Sequence, residues 1–233
     1  MVRLSYVVAC VALAAGGCGL ISSDVTDFDL SLPDKTYTVD SDSFGITADP
    51  DPLLSMSCSP GGGTCEVAAE QVCPDGQCRG ACNATSMTCD LIIPVHPFTT
   101  VNLAQEKSEL AAIDDQALID VTVDSISYRV DENTMDTTTP PLTLYVAPAT
   151  VTSPDDSGAV AIGTIPMVQP AMTLPMTDLV MTSEGHDRLV LAMANFRTPF
   201  NVLVAADIVL TSGDSIPTGR LTTTLTIRAH AGL

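Results

Sequence analysis

Six cysteines, Cys58, Cys65, Cys73, Cys78, Cys82 and Cys89, fall within one short stretch of a 233-residue chain that holds eight in all. An even number of cysteines so clustered in an exported chain is the mark of a disulfide framework. Three bridges are expected, and the sequence leaves their pairing open. A tetrahedral zinc site would need CxxC or CxxH knuckles, and the spacing here supplies neither. Ser59-Pro60-Gly61-Gly62-Gly63 and Pro74-Asp75-Gly76 are turn formers without core-building side chains, so the block reads as a stapled, disulfide-rich insertion over 58–90. It can serve as a recognition knob or as an inert protected insertion, and the inert reading is favoured. Gly61-Gly62-Gly63 lacks the Lys-Ser/Thr of a phosphate loop and is expected to be a flexible turn that opens no helix.

The first residues have the three parts of a secretory signal peptide: Arg3, an apolar run from Leu4 to about Ala15, then small residues. The run is shorter than the ~20 residues a membrane-spanning helix needs. Ala15-Gly16-Gly17-Cys18 resembles the lipobox of bacterial lipoproteins, with Ala15 where Leu is usual. That resemblance implies cleavage after residue 17, acyl chains on Cys18, and attachment to a lipid membrane. Gly19 stands where Asp would favour the inner membrane, so an outer-membrane lipid anchor is expected, on the surface or the periplasmic face. Cys10 would leave with the signal.

The formal charge is −19, from 28 acidic against 9 basic residues. Phosphate backbones would be repelled, so nucleic acid is not an expected partner. The charge does not indicate disorder, because apolar residues make up 45% of the chain and recur with strand periodicity.

Alternation marks strands at Phe28, Leu30 and Leu32, then at Tyr37 and Val39 beyond a turn expected at Pro33-Asp34. Ile119, Val121 and Val123 share one parity, whereas Ile126, Tyr128 and Val130 share the other. A β-bulge near Asp124-Ser125 would return both sets to one face. Leu142, Leu144 and Val146 form another strand, left at Pro148, and Val160 and Ile162 a short one expected to end at Gly163 and Pro166. Phe200, Val202, Val204, Ile208 and Leu210 precede a turn at Pro217-Thr218-Gly219. The final strand carries Leu221, Thr223, Leu225, Ile227 and Ala229 inward, with Arg220, Thr222, Thr224, Thr226, Arg228 and His230 on a face expected to be solvated. Ser183 is the expected N-cap of a helix reaching Arg197, and Leu103 to Ile113 is a weaker helix. The fold class expected is mainly β: an antiparallel β-sandwich, Ig-like or similar, with one or two short helices. The organisation is a signal over 1–17, a lipidated start with the first strands over 18–57, the insertion over 58–90 and a sandwich body over 91–233. This layout, with Pro140-Pro141-Leu142, Tyr145-Val146-Ala147-Pro148, Gly163-Thr164-Ile165-Pro166 and Thr198-Pro199-Phe200, resembles uncharacterised Cys-rich surface lipoproteins of bacteria. That resemblance brings no activity with it.

His96, His186 and His230 sit in unrelated settings, and no HExxH pair is present. Ser183, Glu184, His186 and Asp187 have the residue types of a hydrolytic triad but no nucleophile elbow, and helix capping accounts for most of them. No catalytic residue, cofactor or metal ligand is therefore assigned. A structural calcium ion is the least weak ligand idea, at Asp49-Pro50-Asp51, at Asp131-Glu132-Asn133 with Asp136, or at Asp155-Asp156. The expectation is a non-enzymatic, lipid-anchored envelope protein that binds an envelope protein or a glycan. The alternatives are a periplasm-facing assembly lipoprotein and, remotely, a hydrolase.

Overall fold

Alternating strands bury one face only if a second layer covers it, and here the second layer is another sheet. The computed structural model describes residues 28–74, 76–108, 110 and 119–232. The first sheet holds β1 (Phe28–Asp29), β2 (Lys35–Asp40), β6 (Asp120–Asn133), β9 (Leu174–Asp178) and β11 (Arg220–Gly232). The second holds β3 (Arg79–Cys82), β4 (Cys89–Val95), β5 (Phe98–Val101), β7 (Leu142–Pro148), β8 (Val160–Ile165) and β10 (Phe200–Leu210). All pairings are antiparallel, and the two sheets make a β-sandwich. Four α-helices lie among the described residues: α1 (Asp51–Leu54), α2 (Thr64–Val72), α3 (Leu103–Glu106) and α4 (Ser183–Ala194).

The long strand β11 organises the first sheet. β6 pairs with it from Gly232↔Asp120 to Leu221↔Asn133. Along its other edge, β1 pairs at Phe28↔Ala231 and β2 at Leu225↔Lys35 through Arg220↔Asp40. Pro33-Asp34 is therefore not a reversal: Leu30 and Leu32 keep donating to Ala229 and Ile227 of β11, and the chain runs on in one direction. The register shifts by one residue between Arg228↔Ser125 and Ala229↔Val123, which leaves Asp124 as the extra residue of a bulge. Ile126, Tyr128 and Val130 thereby join Val121 and Val123 in the core. A second shift, between Thr222↔Glu132 and Thr223↔Val130, has no apolar signature in the sequence.

In the second sheet β10 is central, with β4 and β5 end to end on one edge and β7 on the other. Residues Phe200 to Ala205 are all buried, both parities included. One face meets the core; on the other, Asn201 is 0% exposed and fully satisfied. It donates to Ala149 O and Val151 O and accepts from the Thr100 hydroxyl at 2.7 Å. One side of the sandwich is closed where the segment after β9 crosses between sheets. Leu179 N donates to Ile126 O, and Thr182 N to Ile162 O, each at 2.7 Å. β8 ends at Ile165, before Pro166 as expected; Gly163 lies inside it, where any Cβ would come 2.6 Å from Val180 O. The helix α4 plugs that side against β6, β7 and β8.

Three further expectations are corrected. The N-cap of α4 is Thr182, whose hydroxyl accepts from Gly185 N, with Ser183 as the first helical residue. The helix ends at Ala194 rather than Arg197, whose guanidinium stacks 4.7 Å over the Phe196 ring. The outer face of β11 is not wholly solvated: Thr224 is 2% exposed, between the Thr36 hydroxyl and the Asp131 carboxylate. α3 covers only the start of the helix expected over 103–113, and residues 111–113 lie outside the described residues.

Two buried polar side chains make opposite predictions. Asn201 has its bonds made, so Asn201→Ala leaves carbonyls unpaired and a void, and is expected to cost about 2–3 kcal/mol. Tyr37 is 3% exposed, and its hydroxyl has no hydrogen-bond partner. Burial pushes that phenol far up. Tyr37→Phe removes an orphaned group and is expected to raise stability by about 1 kcal/mol. Urea unfolding of the two variants reads both signs.

Candidate functional site: the disulfide-clamped end

The cysteine block is part of the sandwich rather than an appendage to it. β3 pairs with β4 from Arg79↔Ile92 to Cys82↔Cys89, and β4 continues onto β10, so half of the block is sheet edge. The other half is helical. Gly61-Gly62-Gly63 does lead into a helix, contrary to the sequence expectation: Gly63, at φ +67, is the residue from which α2 starts. The left-handed φ explains the need for glycine, and alternating small residues and cysteines hid the helical period. The block also has a core, which its composition did not predict. Cys65, Ala68, Ala69 and Val72 of α2, with Leu53 and Leu54 of α1 just before the block, are buried and join the main apolar cluster.

Three bridges complete this cap: Cys58–Cys82, Cys65–Cys89 and Cys73–Cys78, with Cα separations of 5.7, 5.5 and 5.7 Å. Cys82 and Cys89 face each other across the β3–β4 ladder, so the two long bridges fasten the helical layer to one end of that hairpin. Each closes a separation of 24 residues, worth about 3–4 kcal/mol of lost freedom in the unfolded chain, against about 2 kcal/mol for the five-residue closure. The layers pack closely. A Cβ on Gly80 would fall 1.9 Å from Cys65 O, so β3 passes under the first turn of α2 only because residue 80 has no side chain.

Below the cap, between the free edge of β2 and the end of β4 beyond its pairing with β3, is a cleft of about 450 Å³. Val39, Phe44 and Ile93 line its apolar part, and Thr38, Gln77 and His96 supply polar groups. His96 sits at the two-residue break between β4 and β5, half-buried. The rim of the cap is acidic: Asp49, Asp51, Glu66 and Glu70 are exposed.

The remaining candidate residues go elsewhere. Cys10 and Cys18 lie outside the described residues. Ser183, Glu184, His186 and Asp187 share the exposed first turn of α4, where His186 Nδ1 is 3.4 Å from Asp187 Oδ1. His230 instead faces Asp124, the bulged residue, at 3.0 Å. The acidic loops are engaged by the protein itself. Asp49 Oδ1 accepts from Asp51 N, Asp131 pairs with Arg129 at 2.6 Å, and Asp136 accepts from both Thr218 N and Thr218 Oγ1. Asp155 stands 3.7 Å from Arg79. Among the described residues, the one group of three metal-type ligands close together is Cys58, Cys65 and Cys89, all of them disulfide-bonded.

The same end of the sandwich carries lowered carboxyls. The Arg220 guanidinium holds Asp40 below its ordinary range, and Thr218, through backbone N–H first and hydroxyl second, does the same for Asp136. Both tie the loop before β11 to the first sheet.

Two outcomes follow from this geometry. Gly80→Ala is expected to lower stability by about 3 kcal/mol, because backbone rather than a mobile side chain must yield. For Asp136 the folded value lies below the ordinary 3.8, so its contribution is present above 3.8 and lost as pH falls through the folded value. Asp136→Asn, able to accept only one of the two bonds, is expected to be less stable than the native protein at neutral pH. The difference should narrow as pH falls through the lowered folded value, as read by urea melts at neutral and acidic pH. In comparison with known proteins, the sequence matches no protein-family model, and no curated protein matches it.

Proposed function

We propose that the chain is a non-enzymatic, lipid-anchored protein of the bacterial cell envelope, held by acyl chains on Cys18, which presents its disulfide-clamped end to a protein partner. One observation carries the reading. Phe28, ten positions after Cys18, is paired with Ala231 at one end of β11. The cap adjoins the other end, where Arg220 pairs with Asp40 and Leu210 with Leu91. With 13 residues at roughly 3.3 Å each, β11 holds the two ends about 40 Å apart. An anchor at Cys18 would leave the braced end facing away from the lipid.

The lipobox resemblance supports the anchor, and three disulfides accord with an oxidising compartment. The cleft offers apolar floor and neutral polar groups, which suits a side chain better than a sugar: Phe44, its aromatic residue, is 2% exposed and presents no free stacking face. The acidic rim selects a partner with basic surface and makes capture salt-dependent.

In the source cell, incorporation of a palmitate analogue is expected in the native protein and absent in Cys18→Ser, which should move from the membrane to the soluble fraction. Unchanged labelling and fractionation of the variant would overturn the anchor. Protease shaving of intact cells is expected to release peptides from the exposed Ser59–Thr64 loop. Protection of that loop until lysis would move the weight to a periplasmic assembly role. A photo-crosslinker at Gln77 should capture a partner in a salt-sensitive manner, and equal capture from a crosslinker at Leu191, near the anchored end, would dismiss the cap as the recognition surface.

A further inference from the structure

The Sγ atoms of Cys58, Cys65 and Cys89 lie within 4.8 Å of one another, although only Cys65 and Cys89 are bonded among the three. One member of the Cys58–Cys82 bridge is thus in reach of both sulfurs of the neighbouring bridge, and Cys82 stands outside the group. The two bridges differ in depth. Cys65 and Cys89 are 2% and 0% exposed, whereas Cys58 and Cys82 are partly buried, packed against the edge of the core.

We propose that the paired bridges form a thiol–disulfide relay, in which the less buried Cys58–Cys82 bond receives reducing equivalents and Cys58 passes them to the fully buried Cys65–Cys89 bond. The entering reductant is an external dithiol. One of its thiolates attacks Cys82 Sγ; the Cys58–Cys82 bond breaks, and its electron pair leaves on Cys58. The second thiol of the dithiol then closes on the first, releasing Cys82 as a thiol and leaving the dithiol as a cyclic disulfide. Two electrons and two protons have entered the protein. The Cys58 thiolate next attacks Cys89 Sγ or Cys65 Sγ. A Cys58–Cys89 or Cys58–Cys65 bond forms as Cys65–Cys89 breaks, and the electron pair leaves on the displaced cysteine, which takes a proton from water. This second step needs no further reductant, because one S–S bond replaces another.

The asymmetry has a structural consequence. Cys65 is in the first turn of α2, tied to β4 by the buried bridge. Transfer of the bond to Cys58–Cys89 frees α2 from the hairpin while keeping the preceding loop attached. Cys73–Cys78, closed within five positions of one another, is outside the exchanging group. Reduction of the less buried bridge is thereby converted into release of the helix above Gly80.

Two variants that each lose one half of the same bridge distinguish the relay from simple loss of a staple. In Cys82→Ser the free thiol is Cys58, inside the group; in Cys58→Ser it is Cys82, outside it. The full chains are held without denaturant at about pH 8, where the thiolate is populated, trapped with N-ethylmaleimide, and mapped as non-reduced peptides. In Cys82→Ser, label is expected on Cys65 and Cys89 as well as Cys58, at a share on the order of a tenth or more, because trapping follows the exchanging populations. In Cys58→Ser it should stay on Cys82. Label confined to Cys58 in the first variant, or the same spread in both, would overturn the relay. The native protein with limiting dithiothreitol gives a reading independent of variant folding: every singly reduced molecule should carry label on Cys82, with the second label divided among Cys58, Cys65 and Cys89. A second label on Cys58 alone would sink the proposal.

Discussion

The pairing of β6 with β11 is the contact on which the rest of the fold depends. It runs the length of both strands and brings residues separated by most of the body into register. β1 and β2 have no other sheet partner among the described residues than β11, and β9 has none but β6. The ladder survives as a single face only because Asp124 is expelled from it. Without that bulge, Ile126, Tyr128 and Val130 would turn toward water, and three buried apolar side chains of the first sheet would be lost to the core. The extra residue is also given something to do: its carboxylate meets His230 on the outer face.

What was legible in the sequence was whatever one-sided burial had imposed on it. The bulge at Asp124 could be read because two apolar runs of opposite parity meet there. The shift at Asp131 could not, since Asp131-Glu132-Asn133 is polar on both parities and a slip among polar residues leaves no mark. β10 reads as an alternating strand, yet its first half is buried on both faces, with Leu203 at 0% and Asn201 also at 0% exposed. A buried asparagine gives no sequence signal of burial, because its satisfaction depends on carbonyls at Ala149 and Val151 that only the fold brings near. The turn at Pro33-Asp34 misled for a related reason. A proline and an aspartate between apolar pairs fit a reversal, but they equally fit a one-residue slip along an edge where a missing N–H is tolerated.

The cap was the least legible region, and its chemistry explains why. Helical periodicity is detected through large apolar residues, whereas α2 buries Cys65, Ala68, Ala69 and Val72, which score weakly or suggest other roles. Cysteines counted as staples are also core residues here, with Cys65, Cys73 and Cys89 among the most buried side chains of the block. The arrangement is economical in volume. Gly80 and two alanines allow helix and hairpin to approach so closely that little apolar area remains to hold them, and covalent closure supplies what burial does not.

That division of labour bears on where change can occur in the molecule. A sandwich held by long ladders and a continuous apolar core opens cooperatively, so it offers no local element whose state could be altered alone. The cap differs: its helical layer rests on the hairpin through small residues and two adjacent bridges, one partly and one fully buried. The main packing of α2 is against β3, with fewer contacts to β4 and α1, so disturbing either bridge acts first on the hairpin and not on the β6–β11 ladder, the bulge at Asp124 or the closure at Gly163. The region that most resists unfolding of the chain as a polymer is thus also the one whose arrangement can be reset without unfolding the rest. A surface that must stay rigid for recognition, yet respond to the redox state around it, would be placed on such an element rather than on the sheets.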